Sequence, residues 1–390
     1  MFKQTTPSSL VTLILPPPVM RQITAESFLD DFGTALLHRA RGSLLQENWL
    51  KKWLPPVSPA KSMLQLMVQP GEVDSLVSRI VKQSNLDQQA VGAVFSSDSD
   101  QVHFGPEFRR QATNNDASAS PTLLREKLHA IYCIVSHKQS DRVCKAAIDA
   151  GAHGPIVHYS EGRGLRDRLG WLRITKEHEK EVLIVLCDEE ALDGVFMAMA
   201  AAGELHLPGR GFMYQIDVEH GMFNLPSRAA HKHHDASMQQ IIAAIDNLQG
   251  HSHWRDASTL QIGNQGKAIG LAGTSKVSVK EDQYRLFAMV AWDQLHPFID
   301  LLLDNGAPGL NFTQALDVNG SSAEITDESS LATEYAVIRS IADAQSTQRL
   351  AEAIEQAAAD KGVTDFCASV NPVAQVATYV PGRVDYRKTA

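Results

Sequence analysis

Two short triplets carry the residue types from which an anion site can be made: Gly162-Arg163-Gly164, and Gly209-Arg210-Gly211. Glycines let the backbone approach a ligand closely, and successive N–H groups in a turn form a concave nest for an anion. Arg163, Arg166 and Arg210 stand in or beside these triplets and offer charge-assisted hydrogen bonds to phosphate or carboxylate oxygens. The plainer reading is also open: a tight turn with a solvated arginine needs the same residues.

A second constellation is the run His231, His233, His234 and Asp235, with His251 and His253 further on. Imidazole and carboxylate are metal ligands, and His231 and Asp235 stand four apart, as on one helix face. An exposed His-rich loop explains the same run without a metal. Glu189, Glu190 and Asp193 open a helix, where the dipole accounts for them without catalysis. Trp49, Trp53 and Trp171 fall in loops, as partner anchors or as covers of a core. No nucleophile–base pair, HExxH, P-loop or dinucleotide fingerprint is present, so the chain reads as a non-enzyme.

These residues must be placed by a chain of 390 residues, long enough for several cores. Apolar residues are 44% and charged residues 21%, the balance of a globular protein. A net charge of -9 argues against general nucleic-acid binding. No apolar run approaches the roughly 18 residues that span a bilayer. The four cysteines form no CxxC pair and read as small buried hydrophobes in a reducing, cytoplasmic setting.

Two polar joints, residues 109–122 and about 250–270, divide the chain into thirds, and equal thirds are what a repeat gives. In the middle third LHAIYCIVS is a strand, then a helix follows with Ser140 as N-cap and Gly151 at its end. PIVHYS and EVLIVLC are strands, DEEALDGVFMAMAAAGEL a helix, GFMYQIDV a strand, and ASMQQIIAAIDNL an appended helix. This is βαββαβ. The last third repeats it, with YRLFAMVA, LNFTQALDV, TEYAVIRSIA and VTDFCASV as strands. In the first third SLVTLILP ends in prolines, TAESFLDDFG reads as the helix, and TALLHRARGS, SMLQLMVQ and AVGAVFS as strands. The expected fold is α+β: three ferredoxin-like modules over 8–108, 125–256 and 262–385.

AIDAGAHGPIVHYSEGRG, EKEVLIVLC, PGRGFMYQIDV and IIAAIDNLQGHSHWRD occur in an order that resembles the nitrogen regulatory P-II proteins and their P-II-like relatives. The match covers about Leu128 to Asp256. The resemblance implies subunits that trimerise around a three-fold axis, adenine nucleotide bound in the clefts between them, and a T-loop that signals to a regulated transporter or enzyme. Three linked copies then imply an intramolecular pseudo-trimer, a monomer or low-order oligomer. Linkage also raises the effective concentration of each module for its neighbours.

On that carry-over, Gly162 and Gly164 form a turn at the T-loop base, and Gly209 and Gly211 a turn before the last strand. The second turn faces the T-loop base of another module, either Arg41-Gly42 or the DVNG end of LNFTQALDVNG. The implied function is regulation of nitrogen utilisation, with ATP or ADP as effector and no required cofactor. Departures are plain: Phe212 stands where nucleotide-binding members carry a lysine, and the middle loop has no tyrosine to modify. Two other readings stay open. One is a metal-binding module, similar to trimeric divalent-cation tolerance proteins, using His231, His233 and His234. The other is a scaffold that binds a partner and no ligand.

Overall fold

A computed structural model of the chain describes residues 6–25, 29, 32–42, 59–86, 92–108, 128–164, 179–207, 209–224, 279–280, 282–318, 333–360 and 362–378. The architecture is mixed α/β: six α-helices among the described residues and one fifteen-stranded sheet. All of its pairings are antiparallel.

The first set of elements is β1 (Thr6–Leu15), α1 (Pro17–Thr24), β2 (Ala35–Gly42), β3 (Ala60–Val68), α2 (Val73–Ser84) and β4 (Gly92–Phe104). The middle set is β5 (Leu128–Ser136), α3 (Ser140–Asp149), β6 (Ile156–Gly164), β7 (Glu179–Asp188), α4 (Glu189–Ala202) and β8 (Gly211–Val218), followed by β9 (His220–Asn224). The last comprises β10 (Val279–Lys280), β11 (Gln283–Ala291), α5 (Leu295–Asp304), β12 (Gly309–Asp317), β13 (Glu334–Asp343), α6 (Ala344–Asp360), β14 (Phe366–Val373) and β15 (Val376–Thr378). Side by side the strands run β4-β1-β3-β2, β8-β5-β7-β6 and β14-β11-β13-β12.

Three further contacts join the sets. The end of β2 pairs with β6 through Arg41↔Val157, its beginning with β12 through Leu316↔Leu37, and β6 pairs with β12 through Leu310↔Arg163. At the other flank β9 pairs with β4, β15 with β8, and the end of β4 with β14. Unpaired strand edges are templates for aggregation, and mutual pairing removes them.

The period-2 alternation of a strand explains the layering. On β5, Ile131, Cys133 and Val135 pack with Val143, Val195, Phe196 and Met199 beneath α3 and α4. The first and last sets bury equivalent apolar clusters under their own helix pairs. The opposite strand faces meet in a shared interior. One cluster there combines Ile14 and Phe95 with Tyr132 and Ile184, another Leu10 and Met67 with Phe287 and Tyr335. Strands covered on both faces lose the apolar–polar alternation, which is why they read as near-continuous hydrophobic runs. The four cysteines are buried and in no disulfide among the described residues.

Several sequence expectations shift. In the first set the described helix is Pro17–Thr24, with proline in its opening positions, and of the TAESFLDDFG stretch residues 26–28 and 30–31 lie outside the described residues. Proline suits the first turn, where its missing N–H has no partner to lose. Ser140 is the first residue of α3 and not its cap; its hydroxyl donates to Glu181 Oε2 at 2.7 Å. Gly151 does end α3's turn, at φ 103°. Both polar joints, the appended helix at 236–248 and Trp49, Trp53 and Trp171 lie outside the described residues.

The shared interior is not wholly apolar. His38 on β2 and His158 on β6 are each 1% exposed, with ring centroids 5.9 Å apart. Burial, then the Arg339 charge, pushes the His38 pKa from the ordinary 6.5 down to about 3. The same two causes, and the neighbouring His38, hold His158 well below 6.5. Both imidazoles therefore fold neutral. The unfolded chain takes up protons below pH 6.5 that the folded chain refuses until far lower pH. Stability is thus complete above about pH 6.5 and declines as pH falls towards about 3. The expected slope is up to about 1.4 kcal/mol per pH unit for each imidazole. Urea midpoints measured between pH 7.5 and 5 should show this decline, and His38→Gln should remove about half of the slope.

Candidate functional site

Arg41, the penultimate residue of β2, is carried by strand pairing across the boundary between the first and middle sets. There it enters a cleft of about 260 Å³ lined by His137, Lys138, Ser140, Asp141, Tyr159 and Glu181, all of the middle set. Arg41 Nη2 donates to Ser140 Oγ at 2.8 Å and pairs with Asp141 Oδ1 at 2.9 Å and Glu181 Oε1 at 3.6 Å. Gly42 N donates to Pro59 O at 2.8 Å, closing the base of the stretch 43–58 immediately after Arg41.

Glu181 is the hub. It stands near the start of β7 and is only 2% exposed. Its Oε2 accepts from Ser140 Oγ and, at 3.0 Å, from the backbone N of Lys138. Its Oε1 faces Arg41 and, at 3.7 Å, His137 Nδ1. Lys138 holds a left-handed conformation, φ 68°, in the tight β5–α3 turn, and that bend aims its N–H at the carboxylate. Burial opposes the Arg41 charge, but the hydrogen bond and charge of Asp141, then the charge of Glu181, outweigh it and raise its pKa. Asp141's side chain is 71% exposed, whereas Glu181's is 3%. Only the first of the two carboxylates is free to swing away.

The two Gly-Arg-Gly triplets share one end of the sheet but do not form one nest. Gly162, Arg163 and Gly164 lie in β6 as extended strand, paired with Asn311, Leu310 and Gly309 of β12. Neither glycine has positive φ. In extended backbone successive N–H groups point to opposite strand edges, so the expected first turn and its converging donors do not form. The second triplet is a true turn, with Gly209 at φ 78° and Gly211 at φ 136°. A Cβ on Gly211 would lie 1.8 Å from Ile134 O, so only glycine fits. Arg210 pairs with Glu204 at 3.1 Å. Strands β5 and β7 stand between the triplets, putting them about 14 Å apart at ordinary strand spacing. Lys180 reaches across, donating to Ser136 Oγ at 2.9 Å and Gly209 O at 3.4 Å.

Arg41 and Gly42 meet β6 rather than the second triplet, whose neighbour is β15, with Thr378 Oγ1 donating to Gly211 O at 3.5 Å. Arg166 and the His231, His233, His234 run lie outside the described residues. Among the described residues no three His, Cys, Asp or Glu side chains are grouped to hold a metal. His137, Lys138, Tyr159 and Glu181 were not singled out from sequence, and Ser140 only as a helix cap. Glu181 alone left a trace there, as an ionisable residue heading the apolar run EVLIVLC.

Glu181→Ala should lower stability by about 2–4 kcal/mol, because it strands the Ser140 hydroxyl, the Lys138 N–H and the Arg41 guanidinium together. Asp141→Ala should cost under about 1 kcal/mol, as for other exposed pairs. Denaturant unfolding of the two variants checks the ordering.

No family model matches the chain, and no curated protein matches it. Among solved structures it is similar to an aspartate kinase from Synechocystis, at 10% identity and a TM-score of 0.22, over 94% of this chain and 43% of the kinase chain. This chain thus spans less than half the length of that protein, and a score so low carries no argument about fold or activity.

Proposed function

We propose that the chain is a non-catalytic regulatory protein of P-II-like type. In this reading it is an intramolecular pseudo-trimer of three ferredoxin-like modules, and a small anionic ligand binds in the cleft between the first two. Three features support the pseudo-trimer: the order βαββαβ in each set, the same neighbour order of strands in each, and reciprocal pairing among all three. The observation that carries the ligand reading is Arg41 of one module seated among Ser140, Asp141 and Glu181 of the next.

The chemistry of the cleft suits exchange of one anion for another. An incoming phosphate or carboxylate displaces the exposed Asp141 from the guanidinium while buried Glu181 keeps Arg41 in place. Lys138 adds a second cation at the rim, and Tyr159, 62% exposed, offers a ring on which an adenine base stacks. Because Gly42 and Pro59 close the base of residues 43–58, a ligand on Arg41 acts directly on the root of that stretch. A regulated transporter or enzyme would read the change.

Thermal unfolding and calorimetric titration with ATP, ADP, phosphate and bicarbonate test the reading. At a hundredfold excess over Kd the effective ligand should add about 2.7 kcal/mol of stability, a rise of a few degrees in Tm. Arg41→Ala should abolish the shift, and Arg210→Ala, whose partner is Glu204, should leave most of it. A flat titration with all four ligands rejects ligand sensing. It would favour the second reading, suggested by Arg41's existing pairing with two carboxylates: a clasp between modules in a ligand-free scaffold.

A further inference from the structure

Two arginines lie in the shared interior without a carboxylate. Arg285 on β11 is 2% exposed and Arg339 on β13 is 0% exposed. A guanidinium does not lose its proton in a protein, so both charges persist on burial. Among the described residues neither is in a salt bridge: burial keeps the phenols of Tyr132 and Tyr214 neutral, Arg285 hydrogen-bonds to Tyr214, and the charge acting on Arg339 is that of Arg285. Burying an ion costs several kcal/mol even after relaxation, and two like charges in one interior add repulsion.

The neutral partners present do not offset this. Arg339 donates to Thr313 Oγ1 at 3.5 Å and to Gln65 Oε1 at 3.4 Å, both beyond the usual 2.7–3.2 Å. Its carbon Cζ lies 6.0 Å from the Tyr132 ring centre and 5.9 Å from that of Phe287, while Arg285 lies 5.6 Å from Phe287. Such cation–π contacts contribute on the order of 0.5–2 kcal/mol each. The Nε atoms of both arginines have no hydrogen-bond partner.

Around Arg339 the other buried polar groups converge from all three sets of strands. Thr313 Oγ1 is 3.4 Å from His158 Nδ1, and His158 stands beside His38. His158 Nε2 and both side-chain polar atoms of Asn311 are buried without a hydrogen-bond partner. His158 spends its one N–H, on Nδ1, on Tyr159 O at 3.2 Å, which leaves Nε2 an acceptor, whereas the amide of Asn311, opposite Arg339 in the register of β12 and β13, adds two N–H donors. Buried groups of this kind are nearly always satisfied in native proteins, by protein or by a bound species. A species that accepts from many donors and brings negative charge answers both deficits at once.

We propose that the interior where the three sets of strands meet binds one small inorganic anion, held between Arg339 and Arg285. The ion is small and inorganic because its holders are wholly buried and lie on strands whose flanks are paired into the ring of the sheet. It is acquired as the chain folds and exchanges slowly afterwards. This site is independent of the Arg41 cleft and of the regulatory reading.

The test uses the full chain, desalted exhaustively into sodium gluconate, then denatured and filtered. Ion chromatography of the filtrate measures chloride, nitrate, phosphate and sulfate, and so distinguishes a halide from an oxyanion. The expected result is about one equivalent of a single anion per chain, one ion between the two buried cations. Arg41→Ala should retain it, and Arg339→Met should reduce it roughly tenfold or more. Should Arg339→Met fail to fold, the wild-type release still decides, together with exchange into bromide and its anomalous diffraction signal beside Arg339. Absence of any released anion overturns the proposal. So does an anion lost in Arg41→Ala but kept in Arg339→Met, or bromide found only at the surface.

Discussion

The mutual pairing of β2, β6 and β12 is the constraint on which the rest depends. Each is the outer strand of its own group of four, and alone would leave a row of unpaired N–H and C=O groups. Each instead meets the other two over a few residues, and the meeting is short because three strands cannot all run side by side. That junction delivers Arg41 to the far side of a boundary. It also brings His38, His158 and Thr313, from three distant parts of the chain, within reach of one another.

Two kinds of core follow from it. Beneath the helices, each group of strands buries an apolar cluster of its own, with Phe196, Ile80 and Leu302 all fully covered. Such clusters supply most of the stabilisation, about 1.5–3 kcal/mol for each large side chain buried. The interior shared by the three groups is mixed. Stacked Tyr132 and Tyr214, at 5.3 Å, sit beside guanidiniums and imidazoles that any rearranged packing would leave still worse served. Polar groups of this kind discriminate among packings more than they stabilise one.

The cleft at Arg41 and the interior at Arg339 differ in a way that matters for function. At Arg41 the charge is matched by Asp141 and Glu181, one exposed and one buried, so exchange with solvent ions is cheap on one side only. Among the described residues no carboxylate pairs with Arg339, which is fully buried. The first arrangement suits a reversible ligand, the second a permanent one.

Much of the secondary structure was legible in advance. β5, β7, β8, β11 and β13 announce themselves as β-branched and aromatic runs, and α3 by the glycine that ends it. Local chemistry misled where the same residue serves two ends: the prolines after β1 begin a helix rather than merely stopping a strand. The short strands β9 and β15 left no signal, because three to five residues carry no period and form only against a distant partner. Gly162 and Gly164 announced a turn and became strand because β12 was there to pair with them. By itself, then, the sequence determined the elements, their recurring order and the apolar faces, all set by contacts within a few turns of chain. Only the tertiary structure decided which strands meet across the sets, that Glu181 gathers Arg41 and Ser140, and that Arg285 and Arg339 are buried. Those contacts join residues tens to hundreds of positions apart, and their energy appears only once the ring of strands has closed.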